Sequence, residues 1–353
     1  MTPSTLTIRP GDVRTRAEIR QELGGSPQGG ICPSESKKTV VLFSDIKAGE
    51  PYGYRDGWLA EEDDLGPLYA YTGAGTKGDQ TFGGLYGKGN SAVLDHAARG
   101  RTLHLFIAEG KAQGSSARTH RYVGPFAVDE REPYQLRQAR DENQMDRSVI
   151  VFRLRPTGEF YRSDAHTLPR AKATRPIFFR AREATRLARA QRRQRNQHRN
   201  LTPDDVVAQR RDELSESYES RLTDAGHSVG HLQVEIKDKT YSLISDLYDE
   251  SDNTLYETAG SASREAVRNA LAQLLDLSRY LRLMEHSQPL RLMVLSPELP
   301  DADIRELLEE HNVGVIYRNE TGDFSEFQGE RRAPGGGTVA PSFPCAECPA
   351  LSS

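Results

Sequence analysis

Apolar positions fall into two regimes along the chain. In the first 160 residues they come as short runs typical of strands. Residues 40–43 (VVLF) are continuous strand-formers, preceded by Thr39 and closed by Ser44 and Asp45, and 103–108, 122–128 and 149–154 alternate or run apolar. Pro156, Thr157 and Gly158 then mark an end. This predicts a small β-rich unit with few helices, one of them around 14–23. From Pro203 the period changes. A helix is predicted to about Leu222, with Thr202 as its cap, Pro203 in its first position, Asp204 and Asp205 facing its dipole, and Gly226 beyond its end. Strands follow at 232–236, 241–247 and 254–258. Val267, Ala270, Leu271, Leu274 and Leu281 then share one stripe of a helix over 264–283. A strand at 290–296, a capped helix at 301–311 and a strand at 313–318 complete the order α-β-β-β-α-β-α-β. That order predicts a separate α/β domain.

Composition changes this picture in one place. The chain of 353 residues carries a net charge of −4, yet residues 170–199 hold eleven Lys/Arg against one acid, Glu183. A basic stripe on an acidic protein points to local phosphate contact, with Arg186, Arg189 and Arg193 as candidate DNA contacts on a helix rich in Ala, Arg, Leu and Gln. No apolar run approaches the ~20 residues that span a membrane, and the N-terminus has no signal-like stretch, so a cytoplasmic protein without membrane contact is expected. Three cysteines build no disulfide framework, and the lone pair Cys345 and Cys348 falls in a Gly/Pro/Ser/Ala-rich tail that reads as disordered. Residues 24–30 hold four glycines and Pro27, a bare loop able to approach another backbone closely.

The loop after residues 40–43 carries Tyr52, Tyr54, Asp56 and Trp58 with Gly53 and Gly57 between them, and the next short strand ends in Tyr71, Thr72 and Gly73. Two tyrosine rings can sandwich a flat heteroaromatic group while a carboxylate accepts from its exocyclic amine. The competing reading is that these rings cover a small barrel.

The order GYRDG…AYTGAG…GDQ, continued by Asn90, Ala92 and Leu94, by Arg121, Tyr122, Val123 and Gly124, and by the strand at 149–154, resembles the SRA (SET- and RING-associated) domain over residues 24–156. That family flips a modified cytosine out of duplex DNA. The resemblance implies an N-terminal PUA-like β-barrel in which Tyr54 and Tyr71 stack on the base, Asp56 pairs with its edge and Thr72 lines the pocket. It also implies that the 24–30 loop enters the groove, with Gln28 filling the vacancy. The chain departs from the family in two places. Val123 stands where the family's Tyr-Asp-Gly signature has Asp, and the segment between Gly73 and Asn90 is short.

In the second domain Asp246 ends the second predicted strand and Glu257 lies in the third, so a hairpin would bring two carboxylates together at a sheet edge, as a Mg²⁺ site needs. Surface carboxylates are the plainer reading, and Asp249, Glu250 and Asp252 in the same turn could serve solvation alone. The pattern Asp…Glu-x-Lys in this element order resembles the PD-(D/E)xK nuclease superfamily. The resemblance implies a restriction-endonuclease-like α/β domain with Asp246 and Glu257 as metal ligands and Gln273 near the metal. The lysine position holds Ala259, through natural loss or through replacement of a native lysine. A lysine there would share a strand face with Glu257.

The expectation is therefore an α+β multidomain chain. Residues 1–165 are the SRA-like domain, 166–202 a basic helical linker, 203–322 the nuclease-like domain and 323–353 a disordered tail. Its function would be Mg²⁺-dependent cleavage of double-stranded DNA near a 5-modified cytosine by a homodimer, this chain being inactive at Ala259. The rivals are a non-cleaving reader of modified DNA with a degenerate nuclease domain, and an RNA-binding protein.

Overall fold

The computed structural model describes residues 6–180, 203–282, 284 and 286–328. The candidates Arg186, Arg189 and Arg193, the cap Thr202, and Cys345 and Cys348 lie outside them.

Two sheets organise the chain. The first has nine strands: β1 (Val13–Thr15), β2 (Ile31–Ser34), β3 (Thr39–Ser44), β4 (Gly57–Trp58), β5 (Tyr69–Thr72), β6 (Thr102–Lys111), β7 (Arg118–Val128), β8 (Tyr134–Arg140) and β9 (Asp146–Pro156). Their path runs β2-β3-β6-β7-β9-β5-β4, with β1 added to β7 and β8 to β9. The strands β2 and β4 end this path without meeting, so the sheet is open among the described residues. The expected closed barrel is not found. With β3 and β6 paired in parallel and β5 antiparallel to β9, Val40, Leu42, Leu103, Leu105 and Ile107 face a core shared with Trp58, Tyr69, Phe126 and Phe152. The alternate residues Val41 and Phe106 pack with Ile19, Leu23 and Tyr122 on the other side.

Three helices accompany this sheet: α1 (Arg16–Leu23), α2 (Ile46–Gly49) and α3 (Gly84–Leu94). The start of α1 is a capping box, in which Thr15 accepts from the Glu18 amide and Glu18 reaches back to the Thr15 amide. Glycines hide α3 from propensity reasoning. Gly87 is there for closeness, since a Cβ on it would lie 2.6 Å from the Phe82 carbonyl carbon.

The second sheet comprises β10 (Arg175–Phe179), β11 (Val229–Glu235), β12 (Ser242–Ile244), β13 (Leu247–Asp249), β14 (Thr254–Thr258), β15 (Arg291–Ser296), β16 (Val313–Arg318) and β17 (Phe324–Phe327), in the order β10-β11-β13-β14-β15-β16-β17 with β12 on β11. The strands β14, β15 and β16 are parallel to one another, and β11, β13 and β14 form an antiparallel run. Helix α4 (Pro203–Asp224) lays Leu214, Tyr218 and Leu222 on one face of the sheet, against Tyr256, Met293 and Leu295. Helices α5 (Arg264–Leu281) and α6 (Ala302–Glu310) cover the other face, where Val267, Leu271 and Leu274 meet Leu255 and Val294. Ser263 caps α5 through the Ala266 amide.

Three expectations change here. The single strand at 241–247 is broken at Ser245 and Asp246 into β12 and β13. Residues 175–179, expected within a helical linker, are β10, hydrogen-bonded antiparallel to β11 from Arg175↔Glu235 to Phe179↔His231. Phe324–Phe327, assigned to a disordered tail, is β17, paired with β16. Among the described residues no helix is long and apolar enough to cross a membrane.

The two units touch along a seam. The Ala60 amide donates to Thr240 Oγ1 at 3.0 Å, the Gln138 amide donates to Gln233 Oε1 at 3.0 Å, and the Ala171 amide donates to the Lys239 carbonyl at 2.8 Å. Tyr241 packs on the small apolar cluster of Leu59, Leu68, Val151 and Leu168.

Candidate functional site

In the first unit the predicted residues converge on one buried carboxylate. Asp56 is 7% exposed. Its Oδ2 accepts from Ser44 Oγ at 2.9 Å and its Oδ1 from the Thr72 amide at 2.7 Å. Burial pushes its pKa up to about 6, against the lowering effect of those hydrogen bonds. Three phenols surround it. Burial raises the pKa of Tyr54, Tyr69 and Tyr71, and the charge of Asp56 adds to the rise in each. The Arg55 amide donates to Thr72 Oγ1 at 3.2 Å, which lays the Tyr54–Asp56 segment along β5.

The two stacking candidates differ in setting. Tyr54 is half-buried and donates to the Gly75 carbonyl at 2.8 Å. Tyr71 is buried in the core, with its hydroxyl donating to the Gly30 carbonyl at 2.9 Å. That bond ties β5 to the glycine loop on which exposed Gln28 sits. Trp58, grouped with the loop aromatics in the sequence, belongs wholly to the core, edge-on to Tyr69 at 5.4 Å.

Buried polar side chains fix the loop beyond Thr72. Gln80 donates to the Gly73 carbonyl at 2.7 Å and the Gly75 carbonyl at 3.0 Å, and it accepts from the Ile150 amide at 2.9 Å. Asn90 accepts from the Ala74 amide at 2.7 Å and donates to the Ala74 and Thr81 carbonyls at 3.1 and 2.9 Å. A Cβ on Gly73 would lie 2.8 Å from Asn90 Oδ1, which accounts for glycine there. Sequence reasoning missed Arg147. It is 4% exposed, lies over the Tyr54 ring at 5.8 Å, and donates to the Tyr52, Gly75 and Gly78 carbonyls at 2.5, 2.9 and 3.2 Å. No pattern announces it, because its partners are backbone atoms of two distant loops. In the Tyr-Val-Gly departure, Gly124 has φ +147°, and a Cβ there would lie 2.7 Å from the Glu159 carbonyl oxygen. The glycine of that signature is thus structural.

In the second unit Asp246 and Glu257 come together at β13 and β14, in the interior of the sheet and not at its edge. The break before β13 turns Asp246 toward β14. Its amide donates to Glu257 Oε1 at 3.2 Å, and its Oδ2 accepts from the Thr258 amide at 2.9 Å. Arg211, on α4, was not anticipated. Its NH2 lies 2.5 Å from Asp246 Oδ2 and 3.7 Å from Glu257 Oε2. Burial alone would raise the Asp246 carboxyl, but the Arg211 guanidinium overrides it and holds the group below the usual carboxylate range. Burial, and then the Asp246 charge, raise Glu257 far above that range. Two carboxylates with divergent environments divide the roles of anion and acid.

Ala259 is buried in the core with Leu255 and Val267, and its amide donates to the Leu295 carbonyl at 2.8 Å. Gln273 is exposed on α5, and among the described residues no hydrogen bond joins it to either carboxylate. Asp249, for which the sequence leaves solvation alone as one reading, is fully buried. It accepts from the Ser251 amide at 2.9 Å and meets His227 Nδ1 at 2.6 Å. The donor chemistry of Asp246 and Glu257 suits a hard divalent cation such as Mg²⁺.

Residues 10–168, essentially the whole first sheet, match the family model described as the ScoMcrA-like SRA domain. No curated relative matches the chain. Among solved structures, the sulfur binding domain and SRA domain of ScoMcrA complexed with phosphorothioated DNA is similar at 25% identity and TM-score 0.30, over 42% of this chain and 40% of that one. The type IV phosphorothioation-dependent restriction endonuclease ScoMcrA is similar at 22% identity and TM-score 0.30, over 44% of this chain and 27% of that one. The MspJI restriction endonuclease in complex with a 27-mer oligonucleotide is similar at 10% identity and TM-score 0.25, over 89% of this chain and 78% of that one. The matched region thus spans well under half of either ScoMcrA chain.

Proposed function

We propose that the chain reads a 5-modified cytosine in double-stranded DNA with its first unit, and that its second unit is a PD-(D/E)xK-type nuclease domain whose present sequence does not cleave. The observation that carries the first half is the Asp56 carboxylate, buried among tyrosines inside the stretch that matches an SRA family model. Asp56, as an anion, can accept from the exocyclic amine of a flipped base, while Tyr54 offers a ring face and Gln28 fills the gap in the stack. Tyr71, buried in the core, backs the site through its bond to the Gly30 carbonyl and presents no open ring face. Arg147 holds Tyr54 in place from behind.

For the second half, support comes from the α-β-β-β-β-α-β order of α4 through β15, in which β12 and β13 are the halves of one expected strand, and from the Asp246–Glu257 pair in the sheet's interior. Mg²⁺ held by these carboxylates would supply Lewis-acid polarisation and a more acidic water. With Ala259 packed in the core, no ammonium pairs with these carboxylates among the described residues. The second reading, a non-cleaving reader, is favoured by the same alanine and by Arg211 lying across the carboxylates.

The test is affinity of the full chain for one duplex carrying cytosine, 5-methylcytosine or 5-hydroxymethylcytosine at moderate salt. A preference of tenfold or more for a modified duplex, lost in Tyr54→Ala, is expected. Equal binding to all three that disappears with salt would mean non-specific phosphate contact and an incorrect base-site assignment. Mg²⁺-dependent cleavage of the preferred duplex by Ala259→Lys, and none by the chain as it stands, would separate nuclease from pure reader.

A further inference from the structure

We propose that Arg211 is the resident cation of the Asp246–Glu257 pair, so that a divalent ion enters this site only by displacing its guanidinium. The inference rests on the reading of that pair as a metal site and adds what governs its loading.

Geometry carries it. The NH2 and Nε of Arg211 approach one oxygen, Asp246 Oδ2, at 2.5 and 3.1 Å, and NH2 reaches toward Glu257 Oε2 at 3.7 Å. Oxygen ligands sit at roughly 2.0–2.6 Å from Mg²⁺ or Ca²⁺, so an ion between these carboxylates would take the space that NH2 fills. The Asp246 and Thr258 amides also donate to the pair. The Asp246 carboxylate, held against a Glu257 that is 2% exposed, requires a compensating charge, and among the described residues the ion pair to it is made by Arg211.

The helix itself is not free to leave. Leu214, Tyr218 and Leu222 anchor α4 in the core, and a Cβ on Gly260 would lie 2.5 Å from Val207 Cγ1 and 2.7 Å from the Val207 carbonyl oxygen, so the first turns of α4 rest directly on the chain beyond β14. The side chain has another course. As a whole it is 40% exposed, although the guanidinium is enclosed by the two carboxylates. Rotation about its own bonds toward the exposed side, with the backbone in place, is the course that displacement requires. Exchange of a single positive charge for a double one at a fixed scaffold is therefore a rotamer event.

The test is Mn²⁺ binding by calorimetry and by shift of the thermal midpoint, on the full chain without DNA. Arg211→Gln keeps hydrogen-bond donors near Asp246 and removes the charge. It is expected to bind Mn²⁺ at least tenfold more tightly than the unaltered chain, and adding Asp246→Asn should abolish the gain. Equal Mn²⁺ affinity in Arg211→Gln and the unaltered chain would overturn the role of Arg211 while leaving the metal-site reading intact. No Mn²⁺ binding in either protein would overturn both. Should Arg211→Gln fail to fold, the Nε resonance of Arg211 in the unaltered chain decides. Displacement requires it to move to a solvent-exchanging position as Mg²⁺ is added. An unmoved resonance at saturating Mg²⁺ would sink the proposal.

Discussion

Asp56 is placed where a charge is costly, and its setting has a measurable signature. Its carboxyl titrates near about 6 in the folded chain, against roughly 4 for an unfolded aspartate. A raised pKa means that the stabilising contribution of the protonated form is complete below about pH 4 and is lost as pH rises through 6. The loss is on the order of 3 kcal/mol. Asp56→Asn should therefore gain stability relative to the unaltered chain between pH 4 and 7, in paired urea titrations. A difference that stays flat over that window would show that Asp56 is not perturbed. Base recognition should follow the opposite sign, because the acceptor form is lost below pH 6. The Tyr54–Asp56–Thr72 grouping was legible because aromatic and acidic residues were interleaved with glycine. Ser44 and Arg147 were not, since a hydroxyl twelve residues upstream and a guanidinium bound to backbone leave no spacing to read. Arg211 did leave one. It shares the stripe of Leu214, Tyr218 and Leu222 at offsets of 3, 7 and 11, and a cation on a buried stripe calls for a carboxylate beneath it.

At the level of elements, long apolar runs such as 40–43, 103–108 and 149–154 announced their strands, and the amphipathic stripe of α5 announced that helix. Interruptions were harder. The run at 241–247 reads as continuous, yet the chain bends at Ser245, where Ser245 Oγ accepts from the Leu232 amide at 2.8 Å, and that bend aims Asp246 at Glu257. Strand β10 was hidden by the charge around it, for Arg175 and Arg180 flank an apolar Ile177 to Phe179 too short to outweigh them. The meeting of α4 with the chain after β14 depends on a missing side chain. Gly260→Ala must push Val207 aside, and since one of the close atoms is a backbone oxygen, a cost of about 1–3 kcal/mol is expected in urea unfolding at constant m-value. A cost near zero would mean that α4 yields readily at this point, and the fixed scaffold argued for Arg211 would have to be abandoned.

Across the whole molecule, the division into a β-rich first unit and an α/β second unit followed from the change in hydrophobic period, whereas the seam between them did not. Its bonds join single residues such as Ala60 and Thr240, 180 positions apart. Charge acts at this scale too. If Arg186, Arg189 and Arg193 meet phosphates, replacing all three by alanine should weaken binding to modified and unmodified duplexes alike. It should also flatten the logarithmic salt slope by about 3, leaving the ratio of the two affinities unchanged. A changed ratio would assign those arginines to base discrimination.

The course of the chain around β10 alters what the arginine-rich stretch is. Because β10 is already laced into the second sheet and α4 returns to the same sheet, residues 181–202 leave one unit and come back to it. The chain between β9 and β10 is therefore what joins the two units. The length of the arginine-rich stretch can change without altering how far apart the two halves stand.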